Sequence, residues 1–138
     1  IASAGARFGL TGLARRSFPW DGGTQRLPRL VGPAWAKDMI FTGRIIDAAE
    51  ALRLGLVNQV VEADKLPQAA HDLAERILAG GPIAARYAKE GIQSGMDLSL
   101  AQGLRLEADL NILLQSTSDR AEGIKSFLAR RAPRFTGC

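Results

Sequence analysis

Asp21-Gly22-Gly23-Thr24-Gln25-Arg26-Leu27-Pro28-Arg29-Leu30-Val31-Gly32 is the stretch on which the reading of this chain turns. Paired glycines ahead of a helix-competent run leave backbone N–H groups that another molecule can approach closely. A helix start also carries partial positive charge on its unpaired amides. Together these features suit an oxyanion or a thioester carbonyl. The residues predict a short helix over Gly22–Leu30, weakened by Pro28, which lacks the N–H a helix interior needs. Pro33 suits the first position of a second helix running to about Phe41. Trp35 and Met39, four apart, share one face of that helix and read as core.

Moving toward the C-terminus, Asp47 and Glu50 have the spacing of a capping box, and Gly55 suits the left-handed end of the helix between them. Leu56–Glu62, with Val57, Val60 and Val61, reads as a strand. The remainder is helical. Leu66, Ala70, Leu73 and Ile77 form an apolar stripe that Gly80-Gly81 stops. Pro82 opens a helix with Ala84, Ala88 and Ile92 inward. Leu98–Gln115 is the longest helix, with Leu106, Leu110 and Leu113 on one face. Asp119 and Glu122 repeat the capping-box spacing before a helix whose apolar residues are Ile124, Phe127 and Leu128, and Pro133 ends it.

Toward the N-terminus, Ala6–Leu10 reads as a short extended piece. Thr11–Asp21, with Gly12, Pro19, Arg15 and Arg16, is too irregular for helix or strand. Irregular segments often carry function. Only one strand is convincing, and a lone strand leaves its backbone unsatisfied. Its neighbours are therefore expected on another segment or another chain.

Bulk properties narrow the class. With 138 residues, 46% apolar and 23% charged, the chain is an ordinary globular domain and not a disordered one. The net charge of +4 favours an anionic partner. Aromatic and basic residues do not interleave as in an RNA module, so nucleic acid is not the expected partner. The single cysteine, Cys138, rules out an internal disulfide and points to a reducing compartment, taken as the cytoplasm. There is no apolar run of membrane length. No cluster has metal-ligand spacing.

Four segments then carry a family resemblance. These are Ala6-Arg7-Phe8-Gly9-Leu10, the Gly22–Leu27 turn, the block from Thr42-Gly43-Arg44 to Asn58, and the ending Phe127-Leu128-Ala129-Arg130-Arg131-Ala132-Pro133-Arg134-Phe135. In order and spacing they resemble the enoyl-CoA hydratase/isomerase (crotonase) family, and the match corresponds to the C-terminal half of its subunit. The resemblance implies an α/β fold, the crotonase/ClpP-like spiral of ββα units. This chain alone would supply a mainly α part with one or two short strands. Residues 1–62 would be the end of the crotonase core, and 63–138 a helical trimerisation region. The missing N-terminal half would bring the spiral of strands, most of the coenzyme A pocket, both oxyanion-hole N–H groups and the first catalytic glutamate. The implied substrate is an acyl-CoA thioester, with coenzyme A as part of the substrate and no other cofactor or metal. The implied assembly is a homo-oligomer, a trimer or a dimer of trimers.

The chain departs from the family where the chemistry sits. Hydration of an enoyl thioester needs a base for water and an acid for the α-carbon. Family hydratases place their second glutamate directly after Phe-Gly-Leu, where this chain has Thr11-Gly12. Three readings stand side by side. The reaction could be another of the family's, such as that of the naphthoate-synthase branch or a cyclic acyl-CoA hydratase or hydrolase. That branch resembles Phe8–Gly12 better, though Ser17-Phe18-Pro19-Trp20-Asp21 is two residues longer than its Ser-Phe-Asp run. Alternatively, Asp21 replaces the lost carboxylate, since its place beside a helix start suits a base or an electrostatic role. Or the chain is a non-catalytic assembly protein. Hydration remains the nominal activity, because more of the chain agrees with it.

Other candidates come from the same match. Trp20 suits the wall of a pocket for a cyclic acyl group, beside Gly22 and Gly23. Arg130 and Phe127 match positions that reach a neighbouring subunit's coenzyme A, although Phe127 equally suits the inward face of its helix. His71 has no acidic or cysteine partner at useful spacing and reads as surface or helix packing. Cys138 lacks anything nearby in sequence to activate it.

Overall fold

The strand expected over Leu56–Glu62 is short, and it finds a neighbour inside the chain. In the computed structural model, which describes residues 1–138, β4 (Val60–Val61) runs parallel to β1 (Ala2–Ser3), with Ala2 opposite Val60. Ala2 N donates to Gln59 O at 2.9 Å and Ala4 N to Val61 O at 2.7 Å. A second pair joins β2 (Arg7–Phe8) to β3 (Ile46–Asp47) antiparallel. Neither Ala2–Ser3 nor Ile46–Asp47 has the alternation that marks a strand, so the pattern missed them. Each ladder is two residues long and belongs to a sheet of two strands.

The chain divides into two compact units, Ile1–Asp72 and Leu73–Cys138. The division falls within α3 (Leu66–Leu78). No residue of α3 is buried, and Ala70, Leu73 and Ile77 of its apolar stripe are exposed.

The first unit is organised by α1 (Gly23–Thr42), which Gly32 breaks with φ 79° and ψ 157° into the two helical pieces the prolines imply. Leu27, Val31, Ala36, Met39 and Ile40 of α1 pack with Ile46 and Ala51 into the core, and Phe8, Leu10, Leu54, Leu56 and Val57 lie against it. Trp35 departs from its expected place. It is partly exposed, and the guanidinium groups of Arg44 and Arg53 stand over its ring at 5.6 and 5.8 Å.

The same cations alter the capping of α2 (Ala48–Arg53). Asp47 caps it, accepting from Glu50 N at 2.8 Å. Glu50 does not reach back, because Arg44 holds its carboxylate with two bonds of 2.9 and 3.1 Å and Arg53 adds a third. A bidentate, charge-assisted pair outcompetes a single bond to a backbone amide. Gly55 ends the helix with φ 77°, which lets Leu56 N and Val57 N both turn back to Ala51 O.

The second unit holds the end of α3 together with α4 (Pro82–Gly95), α5 (Leu100–Gln115), α6 (Ser118–Leu128) and the irregular tail 131–138. Glycines let α4 and α5 approach. A Cβ on Gly91 would already stand 3.5 Å from Leu110, the buried residue of α5. The inward faces differ from those expected. Ile83 is buried and Ile92 exposed on α4, and Leu113 is exposed on α5. On α6 the buried side chains are Asp119 and Ser126, while Ile124, Phe127 and Leu128 face outward. Helical period identifies residues that share a stripe but not which stripe is covered. The expected second capping box is also corrected. Thr117 caps α6 through Arg120 N, and the reciprocal box belongs to Ser99 and Gln102 at the start of α5.

Candidate functional site

The first unit carries an open groove of about 400 Å³ between β2 and the start of α1. Its apolar floor includes Phe8, Leu10, Leu27, Leu30, Met39 and Leu56, and its polar rim is Arg7, Asp21 and Arg26 around Gly22 and Gly23. Of its lining residues only Asp21 bears a carboxyl group. That carboxylate makes no hydrogen bond or ion pair within the chain, so it is available to a ligand. Arg26 lies four residues beyond Gly22, one helical turn on, and its guanidinium packs where a Gly22 Cβ would be, at 3.1–3.4 Å. Neither arginine was singled out in the sequence, although that spacing placed Arg26 over the turn.

The glycine pair behaves differently at its two positions. Gly22 has φ 82°, a left-handed conformation that favours glycine. Its N–H is not open, because it donates to the Trp20 carbonyl. Its own carbonyl closes the first turn, accepting from Gln25 N at 3.0 Å and Arg26 N at 2.7 Å. The amides left without an intramolecular acceptor are those of Gly23 and Thr24, the orphan donors of a helix start. Gly23 is glycine for another reason: a Cβ there would stand 3.0 Å from Leu10 Cδ1.

Two candidates are not in the groove. Trp20 is 75% exposed and is absent from the lining. Its N–H is spent on Phe18 O at 2.9 Å, which turns the loop tightly. Gly12 precedes the 3-10 turn Leu13–Arg15 and is also outside the lining. Its carbonyl accepts from Arg15 N at 3.0 Å and Ser17 N at 2.8 Å, so the loop folds back over it. A Cβ on Gly12 would meet Ser17 O at 3.1 Å. The loop is thus packed around the absence of a side chain at this position.

Phe127 and Arg130 lie in the second unit. Phe127 is 81% exposed, so the inward reading of this residue is wrong. Arg130 follows it in a turn with φ 51°, a left-handed conformation uncommon for a non-glycine residue. Both side chains are exposed at the end of α6. Glu122, which the sequence offered only as half of a cap, instead binds Arg131 with two bonds of 2.6 and 2.8 Å and accepts from Arg134 N at 2.8 Å. Arg131, and next the Arg134 amide, hold its carboxyl at about 2, well below the usual range.

The groove beside a glycine-started helix, the αL-terminated Thr42–Asn58 block and the helical remainder define a half of the crotonase fold. The family model described as enoyl-CoA hydratase/isomerase matches residues 1–138, and the chain belongs to that family. It is 40% identical to the mitochondrial methylglutaconyl-CoA hydratase of Rattus norvegicus over 99% of this chain and 45% of that protein. It is 48% identical to a short-chain-enoyl-CoA hydratase of Clostridioides difficile, over 92% of this chain and 82% of that one. The crystal structure of enoyl-CoA hydratase from Bacillus anthracis superimposes with a TM-score of 0.96 at 43% identity, covering 99% of this chain and 53% of that chain. The chain thus spans about half the length of the rat relative and of this solved structure.

Proposed function

We propose that this chain supplies one wall of an acyl-CoA hydratase site, with Asp21 as its acid–base group. The observation that carries the reading is that Asp21 is the only carboxylate on the groove, beside the open Gly23 and Thr24 amides. An unpaired carboxylate can take a proton from water as water attacks an enoyl thioester, and can return one to the α-carbon. Amides of a helix start stabilise negative charge that develops nearby. The family's oxyanion hole and first glutamate would come from polypeptide outside this chain. Relatives named as hydratases of short-chain enoyl-CoA and crotonyl-CoA support hydration over the other reactions of the family. Coenzyme A enters as part of the substrate, with no further cofactor.

Assembly is part of the proposal. Exposed Phe127, Leu100 and Ile92 and the uncovered stripe of α3 favour a homo-oligomer, a trimer or a dimer of trimers. The Phe127–Arg130 tip would then reach coenzyme A bound to a neighbouring copy. The lone, exposed thiol of Cys138 favours a reducing compartment, here the cytoplasm, although several relatives are named as mitochondrial.

The test is Asp21→Asn in the complete encoded protein, assayed with crotonyl-CoA. Loss of a general acid–base group predicts a fall in kcat of about 10²–10⁴. Calorimetric affinity for the thioester should stay within about threefold, since one exposed carboxylate contributes little to ground-state binding. Full turnover by the variant overturns the assignment of Asp21. Absence of thioester binding by the unaltered protein overturns the functional class.

A further inference from the structure

We infer that Glu122 and Asp119 are positioning residues that hold the chain's last turn so that Arg130 points outward to an anionic ligand. The inference rests on Arg130 as a coenzyme A contact and adds the machinery that aims it.

The tail after α6 has no secondary structure of its own, and two carboxylates hold it. Asp119 is 4% exposed and accepts from Thr136 N at 2.7 Å, Thr136 Oγ1 at 3.3 Å and Gly137 N at 2.9 Å. One turn further along α6, Glu122 grips the Arg131 guanidinium with both oxygens and also takes the Arg134 amide. Phe135 packs near Gly81 and Gly123, where a Cβ would stand 3.7 and 3.8 Å from its ring. Ser118 Oγ and Asp119 N both donate to the Cys138 carbonyl. These bonds return the tail to the start of the helix it has just left.

The consequence falls on residue 130. Arg130 N bonds Phe127 O at 3.1 Å and Arg131 N bonds Ser126 O at 3.1 Å, which closes a tight turn. A non-glycine residue enters φ 51° at a cost of about 1–2 kcal/mol, sustained only where the surroundings determine it. Those two bonds are the helix-end motif that carries a left-handed residue after the cap, and Glu122 braces it by holding Arg131, the next residue. Arg130 itself has no hydrogen-bond or ion-pair partner in the chain, so its charge is left for another molecule. A charged side chain on a backbone turn that is fixed binds with less loss of freedom than one on a loose tail.

The experiment is a double-mutant cycle in the complete encoded protein with Arg130→Ala and Glu122→Gln, and Asp119→Asn as a second way to loosen the tail. Affinity for coenzyme A is read by calorimetry, kcat and KM by turnover, and exchange of the 134–137 amides by mass spectrometry. Glu122→Gln should speed that exchange at least tenfold and raise KM and Kd severalfold, with kcat nearly intact. Its effect on Kd should disappear when Arg130 is already alanine, because the two groups act in series. Faster exchange with wild-type affinity overturns the positioning role, as does an additive double variant. An Arg130→Ala variant that binds coenzyme A normally removes the ligand contact, and the proposal with it. The exchange data distinguish that outcome from a latch that never existed.

Discussion

The family resemblance sets Gly12 against the second glutamate of its hydratases, and introducing a glutamate there tests the assignment of the site most sharply. The perturbation is Gly12→Glu. The backbone there has φ −55° and ψ −48°, a helical conformation open to any residue, so no torsional strain results. Replacing glycine restricts the unfolded chain and contributes about 0.4–1 kcal/mol of stability. Against this, the new Cβ lies 3.1 Å from Ser17 O, 3.6 Å from Pro19 N and 3.7 Å from Phe18 C. The loop must therefore move by a few tenths of an ångström, a mild overpacking near the low end of the roughly 1–3 kcal/mol such changes cost. The net expectation is a variant that folds, about 0–2 kcal/mol less stable. The new side chain leaves the backbone against Ser17–Pro19, and position 12 does not line the groove. Hydration of crotonyl-CoA, followed by loss of the conjugated thioester absorbance, should stay within about threefold of the unaltered protein, since general acid–base catalysis needs the group within hydrogen-bond reach. A rise of about 100-fold or more would show that residue 12 reaches the substrate. The packing argument and the assignment of Asp21 would then both be wrong.

Met39→Ala removes one of the two largest fully buried side chains and should cost about 2–5 kcal/mol in urea unfolding; a loss under about 1 kcal/mol would mean the core around α1 collapses to fill the space. Arg16 sits at φ 58° as the end of a 3-10 turn, so Arg16→Gly should raise stability by up to about 1 kcal/mol; a clear loss would show that its side chain holds the loop. Glu122 titrates low because Arg131 and the Arg134 amide favour its charged form, so its contribution to tail attachment is complete above the ordinary carboxylate range and disappears as pH falls toward about 2. The Arg134 amide resonance should follow that change with a midpoint near 2, and a midpoint above 4 would contradict the clamp.

Glycine and proline wrote much of this fold into the chain. Gly32-Pro33 sets the break in α1, Gly55 ends α2, and Gly22 starts α1 from a left-handed turn, because few residues meet those torsional demands. The family motif was equally readable. What the tertiary structure decided is which of several chemically equivalent groups meet. Trp20 and Asp21 are adjacent in sequence, yet only Asp21 lines the groove while the Trp20 ring is exposed. Glu50 and Glu122 each had the spacing of a helix cap, and each was taken by an arginine that sequence-local rules do not see. Phe127 and Ile124 share a helical stripe with no cover, while Asp119 and Ser126 are buried. Backbone torsions are local properties of a residue, so sequence determines them directly. Burial and ion pairing depend on which distant groups arrive first with better geometry, and only the folded chain settles that competition.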